Sequence, residues 1–246
     1  MKSLFGMLAL LTTVAHAAAE YRFPVGEQAI YRIEWGLFSC GTSTIRCDEV
    51  ELEDRSLIRI RIRVKSNWLV STIYPVDDTI DCYIDPETQL SVRVEKNTFE
   101  GGFICRDVLE IDRESNTAFW TSHSGNITTN YPIEAGSCDA VSFLYDFRKY
   151  AFEKGGSRDF NIVVDTALHG ICVTAGKTDD KQVGDSGKVE CRKYLVAPMR
   201  DDLFVRKVPK AIWLTEDARK IMVRMDVEVP VGKARIVLDE YIPPQS

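Results

Sequence analysis

Histidine is nearly missing from this chain, with three in 246 residues, and one of them, His16, lies in the apolar N-terminal stretch. No C-x-x-C, H-x-x-x-H or H-E-x-x-H spacing occurs, which removes the common zinc arrangements, and no stretch has EF-hand spacing. The carboxylate pairs Asp77-Asp78, Asp179-Asp180 and Asp201-Asp202 therefore read as solvated turns rather than calcium ligands, and no metal and no cofactor is expected. Beyond residue 20 nothing approaches the ~20 consecutive apolar residues that a membrane helix needs. A basic tail is also absent and the formal net charge is -6, which makes nucleic acid a poor partner. No repeat, low-complexity tract or Pro-rich linker divides the chain, so a single β-rich domain over residues 20–246 is expected.

The first residues, MKSLFGMLALLTTVAHAAAE, combine Lys2, a short apolar run and small residues in A-x-A order. That pattern predicts a cleavable signal peptide over residues 1–19, with a cut after Ala17 or Ala19, and a periplasmic or secreted protein of a Gram-negative-type envelope.

Short runs of alternating apolar and polar residues fill most of the chain beyond residue 20. The clearest is LIRIRIRVK (57–65): in a strand, Ile58, Ile60, Ile62 and Val64 take one face and Arg59, Arg61, Arg63 and Lys65 the other. A tight turn at Glu53-Asp54 would pair residues whose numbers sum to 107, setting Asp48 opposite Arg59 and Arg46 opposite Arg61. The cationic row is then either the solvent face of a strand or a surface for anionic headgroups. Connections too short for crossover helices predict antiparallel hairpins, in a sheet large enough to curl.

One segment changes period. In SCDAVSFLYDFRKYAF, Ala140, Phe143, Leu144, Phe147 and Ala151 make a single stripe, predicting one long amphipathic helix capped by Ser137 and stopped at Gly155-Gly156. A shorter candidate, SNWLVSTIY, is capped by Ser66 or Asn67 and stopped by Pro75. The fold class is thus mainly β (α+β), a curled antiparallel sheet or half-barrel with a long helix packed on it.

All seven cysteines lie beyond the leader, and an odd number leaves at least one thiol outside any intramolecular pair. Cys172 and Cys191 flank a turn-rich stretch and are the best candidate disulfide. Cys138 is a candidate free thiol in the first turn of the helix, where the dipole lowers a thiol pKa. With His123 or His169 as base and Asp139 to orient it, it would be a nucleophile; as a small half-buried residue near a helix start, it would be inert.

Several stretches in order, YRIEWGLFSCGTSTI, STIYPVDDTIDCYIDPETQL, CDAVSFLYDFRKY and IWLTEDARKIMVRMDVEVPVGKARIVLDEY, resemble the exported bacterial family called domain of unknown function 3108. Its strand pattern is similar to that of the half-barrel lipoprotein-localisation carriers, which implies a curled sheet and helical lid around an apolar cavity. The family has no established catalytic residues, and none are expected here.

The remaining lead is aromatic. Trp35, Phe38, Phe99 and Phe103 fall near strand ends, and Trp68, Leu69, Ile73 and Tyr74 make the 66–74 segment too apolar for a plain connection. These residues are read as the mouth of an apolar cleft, with core packing as the competing explanation. The expected function is non-enzymatic binding of a hydrophobic or amphipathic small molecule, lipid or lipid-linked. The alternative is a structural or assembly role on an envelope protein or glycan.

Overall fold

The computed structural model describes residues 21–150, 152–199, 209–228 and 232–244. The expected leader over residues 1–19, Ala151 and the Asp201-Asp202 pair lie outside the described residues. The strands are β1 (Gln28–Trp35), β2 (Phe38–Leu52), β3 (Arg55–Ser66), β4 (Asp77–Ile84), β5 (Ser91–Glu100), β6 (Phe103–Asp112), β7 (Thr117–Ser122) and β8 (Ile127–Pro132). They continue as β9 (Cys138–Asp139), β10 (Ser157–Val164), β11 (Ala167–Val183), β12 (Gly187–Pro198), β13 (Pro209–Thr215), β14 (Met222–Glu228) and β15 (Lys233–Ile242). All join one sheet in the order β8-β7-β6-β5-β4-β3-β2-β1-β15-β14-β13-β12-β11-β10-β9. Each neighbouring pair is antiparallel except β9 with β10.

A sheet this wide curls, because strand twist accumulates and bulges sharpen it. Register shifts interrupt β1 after Ile30 and Ile33, β4 after Tyr83 and β11 after Ala175. The two edges are brought toward each other: Tyr131 Oη of β8 donates to Asp165 O beyond β10 at 2.9 Å, and Asn161 Nδ2 of β10 donates to Glu134 Oε2. The Asp165 carboxylate also pairs with Lys96 of β5.

The β2–β3 hairpin has the expected register, Asp48 facing Arg59 and Arg46 facing Arg61 across a two-residue turn in which Glu53 and Asp54 both have positive φ. Its apolar row faces inward: Ile60 is fully buried between Cys47 and Cys82, its cross-strand partners. Its cationic row lies on the outer face, where each cation meets a carboxylate and Arg63 and Lys65 share one. Arg59 meets Asp48 at 3.4 Å, Arg61 grips Asp81 at 2.6 and 2.8 Å, and Arg63 and Lys65 both reach Asp77 at 3.3 Å.

The long helix is corrected to a short one. Helix α2 spans Ala140–Asp146 and runs into a 3-10 turn at Phe147–Lys149. Its cap is Asp139, whose carboxylate accepts from the Val141 and Ser142 amides, because Ser137 is turned back to donate to Glu134 O and Cys138-Asp139 bridge to β10. The helix ends where Tyr150 becomes extended. The apolar stripe is nevertheless used: Phe143 stacks on Phe147 at 5.2 Å and meets Phe160 edge-on at 5.3 Å, while Phe147 meets Tyr194 at 5.4 Å. Helix α2 plugs the curl rather than lying on its surface as a lid.

Candidate apolar mouth of the curled sheet

Strands β1, β3, β5 and β7 run toward the same end of the sheet, so the turns at their C-terminal ends share it. Large apolar side chains stand exposed there: Leu37 is 96 % accessible, Ile73 86 %, Trp68 79 % and Phe38 73 %. Leu69, Tyr74, Trp35, Phe103, Ile104 and Ile127 are exposed as well. The sequence-predicted cleft residues Trp35, Phe38, Trp68, Leu69, Ile73 and Tyr74 thus come to one rim, and Leu37, Ile104 and Ile127 join them unforeseen. A single exposed leucine at a strand end gives no sequence signal; only the shared end of the sheet does.

The segment between β3 and β4 forms a single turn, α1 (Trp68–Ser71), with no buried residue. Asn67 builds it, its carboxamide oxygen accepting from the Val70 amide at 2.9 Å while Nδ2 donates to Ser39 O at 2.6 Å. Its amide also donates to Cys40 O, tying α1 to the start of β2. On the other side Gly101 N donates to Pro75 O at 2.8 Å. The Tyr74 ring lies on Gly101, where an added Cβ would sit 2.4 Å from Cε2 and where φ is +58°, so this position requires glycine. Below the rim the inner face of β3 opens gradually: Ile60 is buried, whereas Ile62 and Val64 are half-buried.

Asp78 sits just inside the rim and accepts from the Phe99 amide at 2.9 Å. Burial, reinforced by Glu100 beside it, pushes its carboxyl from the usual 3.8 up to about 6 against the opposing pull of that amide. The folded state therefore holds this proton more tightly than the unfolded chain. Its contribution to stability is present below the ordinary pKa and is lost as pH rises to about 6. Unfolding titrations at several pH values should show Asp78→Asn removing part of a stability decline between those limits; an unchanged pH profile would contradict this.

Cys138 departs from its expected role. It lies in β9 rather than in a helical turn, its Sγ donates only a long contact to Asn161 O at 3.8 Å, and burial pushes the thiol well above its usual range. Ile162 separates it from His169 in the sheet, since Ile162 faces Cys138 on one side and His169 on the other, a span of roughly 10 Å. His123 lies in the exposed β7–β8 turn. The Asp139 carboxylate serves α2 and accepts from the Cys82 thiol at 3.1 Å. That contact links β4 to the helix across 57 positions and left no local sequence signal. Cys172 and Cys191 are free thiols and not a disulfide. Cys172 faces Ala197, six positions along β12 from Cys191, which amounts to ~20 Å. Among the described residues no three His, Cys, Asp or Glu side chains gather as a metal site, and no helix is long and apolar enough to cross a membrane.

A solved structure described as a β-barrel-like protein of domain of unknown function DUF1849 from Brucella abortus is similar in fold, with a TM-score of 0.59. The likeness covers 91 % of this chain and 99 % of that one at 12 % sequence identity. No curated protein matches the sequence. The family model described as protein of unknown function (DUF3108) matches residues 30–239, nearly the whole strand-bearing part, and the chain belongs to that family.

Proposed function

We propose that this is an exported envelope protein, not an enzyme, that binds a hydrophobic or amphipathic molecule, lipid or lipid-linked, at the open apolar mouth. The observation that carries the reading is the gathering of Leu37, Phe38, Trp68, Leu69 and Ile73 at one end, all more than half exposed. Covering one such side chain contributes roughly 1.5–3 kcal/mol, so an uncovered group is a standing driving force for association. The signal-like leader and the wide curled sheet are in keeping with it. The test is a fluorescent apolar probe together with organic extraction of natively purified protein. Trp68→Ala with Ile73→Ser should weaken probe binding about tenfold without lowering stability, because neither side chain is buried. Equal binding by the variant, with no extractable lipid, would end the proposal.

A second reading, docking of an envelope protein or glycan, is favoured by the near-complete exposure of Leu37 and Ile73. Photocrosslinking from position 68 separates the two: a defined macromolecular adduct supports docking, and a lipid adduct supports the mouth.

A further inference from the structure

The inner wall below the mouth is not uniformly apolar. Strand register carries one row across it from β3 to β8: Ile62, Ile80, Lys96, Asp107, Ser122 and Ile127, each the cross-strand neighbour of the next. The row lies two residues nearer the rim than Ile60, Cys82, Val94, Leu109 and Trp120, of which the first four are buried in the core. A two-residue step keeps a side chain on the same face, so Lys96, Asp107 and Ser122 also point inward. The row is thus apolar at both ends and polar in its middle.

Two polar atoms on this wall are left over. Asp107 Oδ1 and Trp120 Nε1 are buried, and neither has a hydrogen-bond partner among the described residues. The carboxylate oxygen accepts and the indole N–H donates, so each lacks a different thing. The groups directly flanking Asp107 are engaged elsewhere. Lys96 turns its ammonium to Asp165 beyond β10, and the Ser122 hydroxyl accepts from the Gly125 amide at 3.3 Å. Burial and a hydrogen bond to the Asp107 carboxylate push the Cys105 thiol up, and that bond still leaves Oδ1 unpartnered. Asp107 and Trp120 are diagonal neighbours on β6 and β7, a spacing of about 7–8 Å that brings both within reach of one small group. As residues both are only half-buried, on the part of the wall that is not sealed.

A hydroxyl or a carboxamide donates and accepts, and so answers both atoms at once. An ammonium answers Asp107 alone. A carboxylate or phosphate meets the Asp107 charge while Lys96 is already paired with Asp165. We propose that the amphipathic ligand of the mouth carries an uncharged head, a hydroxyl or carboxamide, held between Asp107 and Trp120, and that anionic heads are refused. This rests on the reading of the mouth as a binding site and adds the head which that site selects.

Displacement of Nile red from the full chain by 1-octanol, octanamide and octanoate tests it, since the three share a tail and differ in head. They also differ in affinity for any apolar surface, so the decisive quantity is how their ranking changes with Asp107→Asn and with Trp120→Phe. Asp107→Asn should strengthen octanoate about tenfold while octanol shifts by less than about threefold. Trp120→Phe should weaken octanol and octanamide about threefold to tenfold, the range of one hydrogen bond, and leave octanoate unchanged. A merely structural role for either side chain would move all three compounds together. If the ranking is the same in all three proteins, or the compounds shift together, the two atoms hold water only and this inference falls while the mouth stands. If Nile red does not bind the parent protein, the mouth falls and this inference falls with it.

Discussion

Replacing Arg148 with methionine is expected to lower unfolding stability by about 3–5 kcal/mol, the usual cost of stranding one member of a buried ion pair. The pair is Arg148 with Glu27, whose side chains are 7 % and 4 % exposed and meet through two parallel hydrogen bonds of 2.9 Å. Around it the Tyr241 hydroxyl donates to Glu27 at 2.9 Å, Arg148 donates to Arg219 O at 3.1 and 2.8 Å, and its guanidinium lies 4.9 Å above the Tyr145 ring. The cluster therefore fastens the exit of α2 to the entry of β1, the β13–β14 turn and the last strand. Once the guanidinium is gone, the Glu27 carboxylate has lost its countercharge where water cannot replace it. Removing both charges, as Glu27→Gln with Arg148→Met, should recover a large part of the loss, because the pair's own desolvation nearly offsets its attraction. Urea denaturation of the two single variants and the double variant checks this, and single variants within about 1 kcal/mol of the parent would refute it.

Ile60→Ala and Val64→Ala, on the same face of one strand, should differ sharply. Ile60 is fully buried between Cys47 and Cys82, so truncation leaves a cavity and costs about 2–5 kcal/mol. Val64 is half-buried below the rim, where solvent already reaches, and its truncation should cost about 1 kcal/mol or less. On apolar-probe binding the order should reverse, because Val64 lines the open part of the inner wall and Ile60 the sealed part. Equal destabilisation by the two would mean that the curl is as closed at Val64 as it is at Ile60, leaving no mouth to bind anything. Chemical denaturation and probe titration on the same preparations give both comparisons.

Much of this arrangement is legible locally. The strict alternation of LIRIRIRVK predicts which face of β3 turns inward, and the Glu53-Asp54 turn predicts the partner of each of its residues, since a two-residue hairpin leaves one register. The stripe from Ala140 to Phe147 predicts a helix but neither its length nor the whole of its buried side: Phe143 and Phe147 are buried, whereas Ala140 is exposed and Val141 and Tyr145, off the stripe, are buried. Its ends were decided by partners distant in sequence: β10 claims Cys138 and Asp139, and Glu27 claims Arg148 across 121 positions. The lowered Cys138 thiol failed for the same reason, since a residue drawn into a strand loses the helix terminus that was to lower it. The Cys172–Cys191 pairing failed on register, because β11 and β12 extend far enough to keep the two apart.

The rim divides in the same way. That the 66–74 segment holds more apolar side chains than a connection can bury is a property of the sequence, and so is the apolar character of the β1–β2 and β5–β6 turns. That these turns share an end comes from strand direction in a single sheet, which no local pattern contains. By itself the sequence determined what depends on near neighbours: strand faces, hairpin register, the existence of a helix and the surplus of apolar residues in its turns. The tertiary structure alone decided which of those features meet, where the helix stops and which carboxylate each cation meets. Those outcomes depend on contacts between residues tens to hundreds of positions apart, whose energies exist only once the sheet has curled.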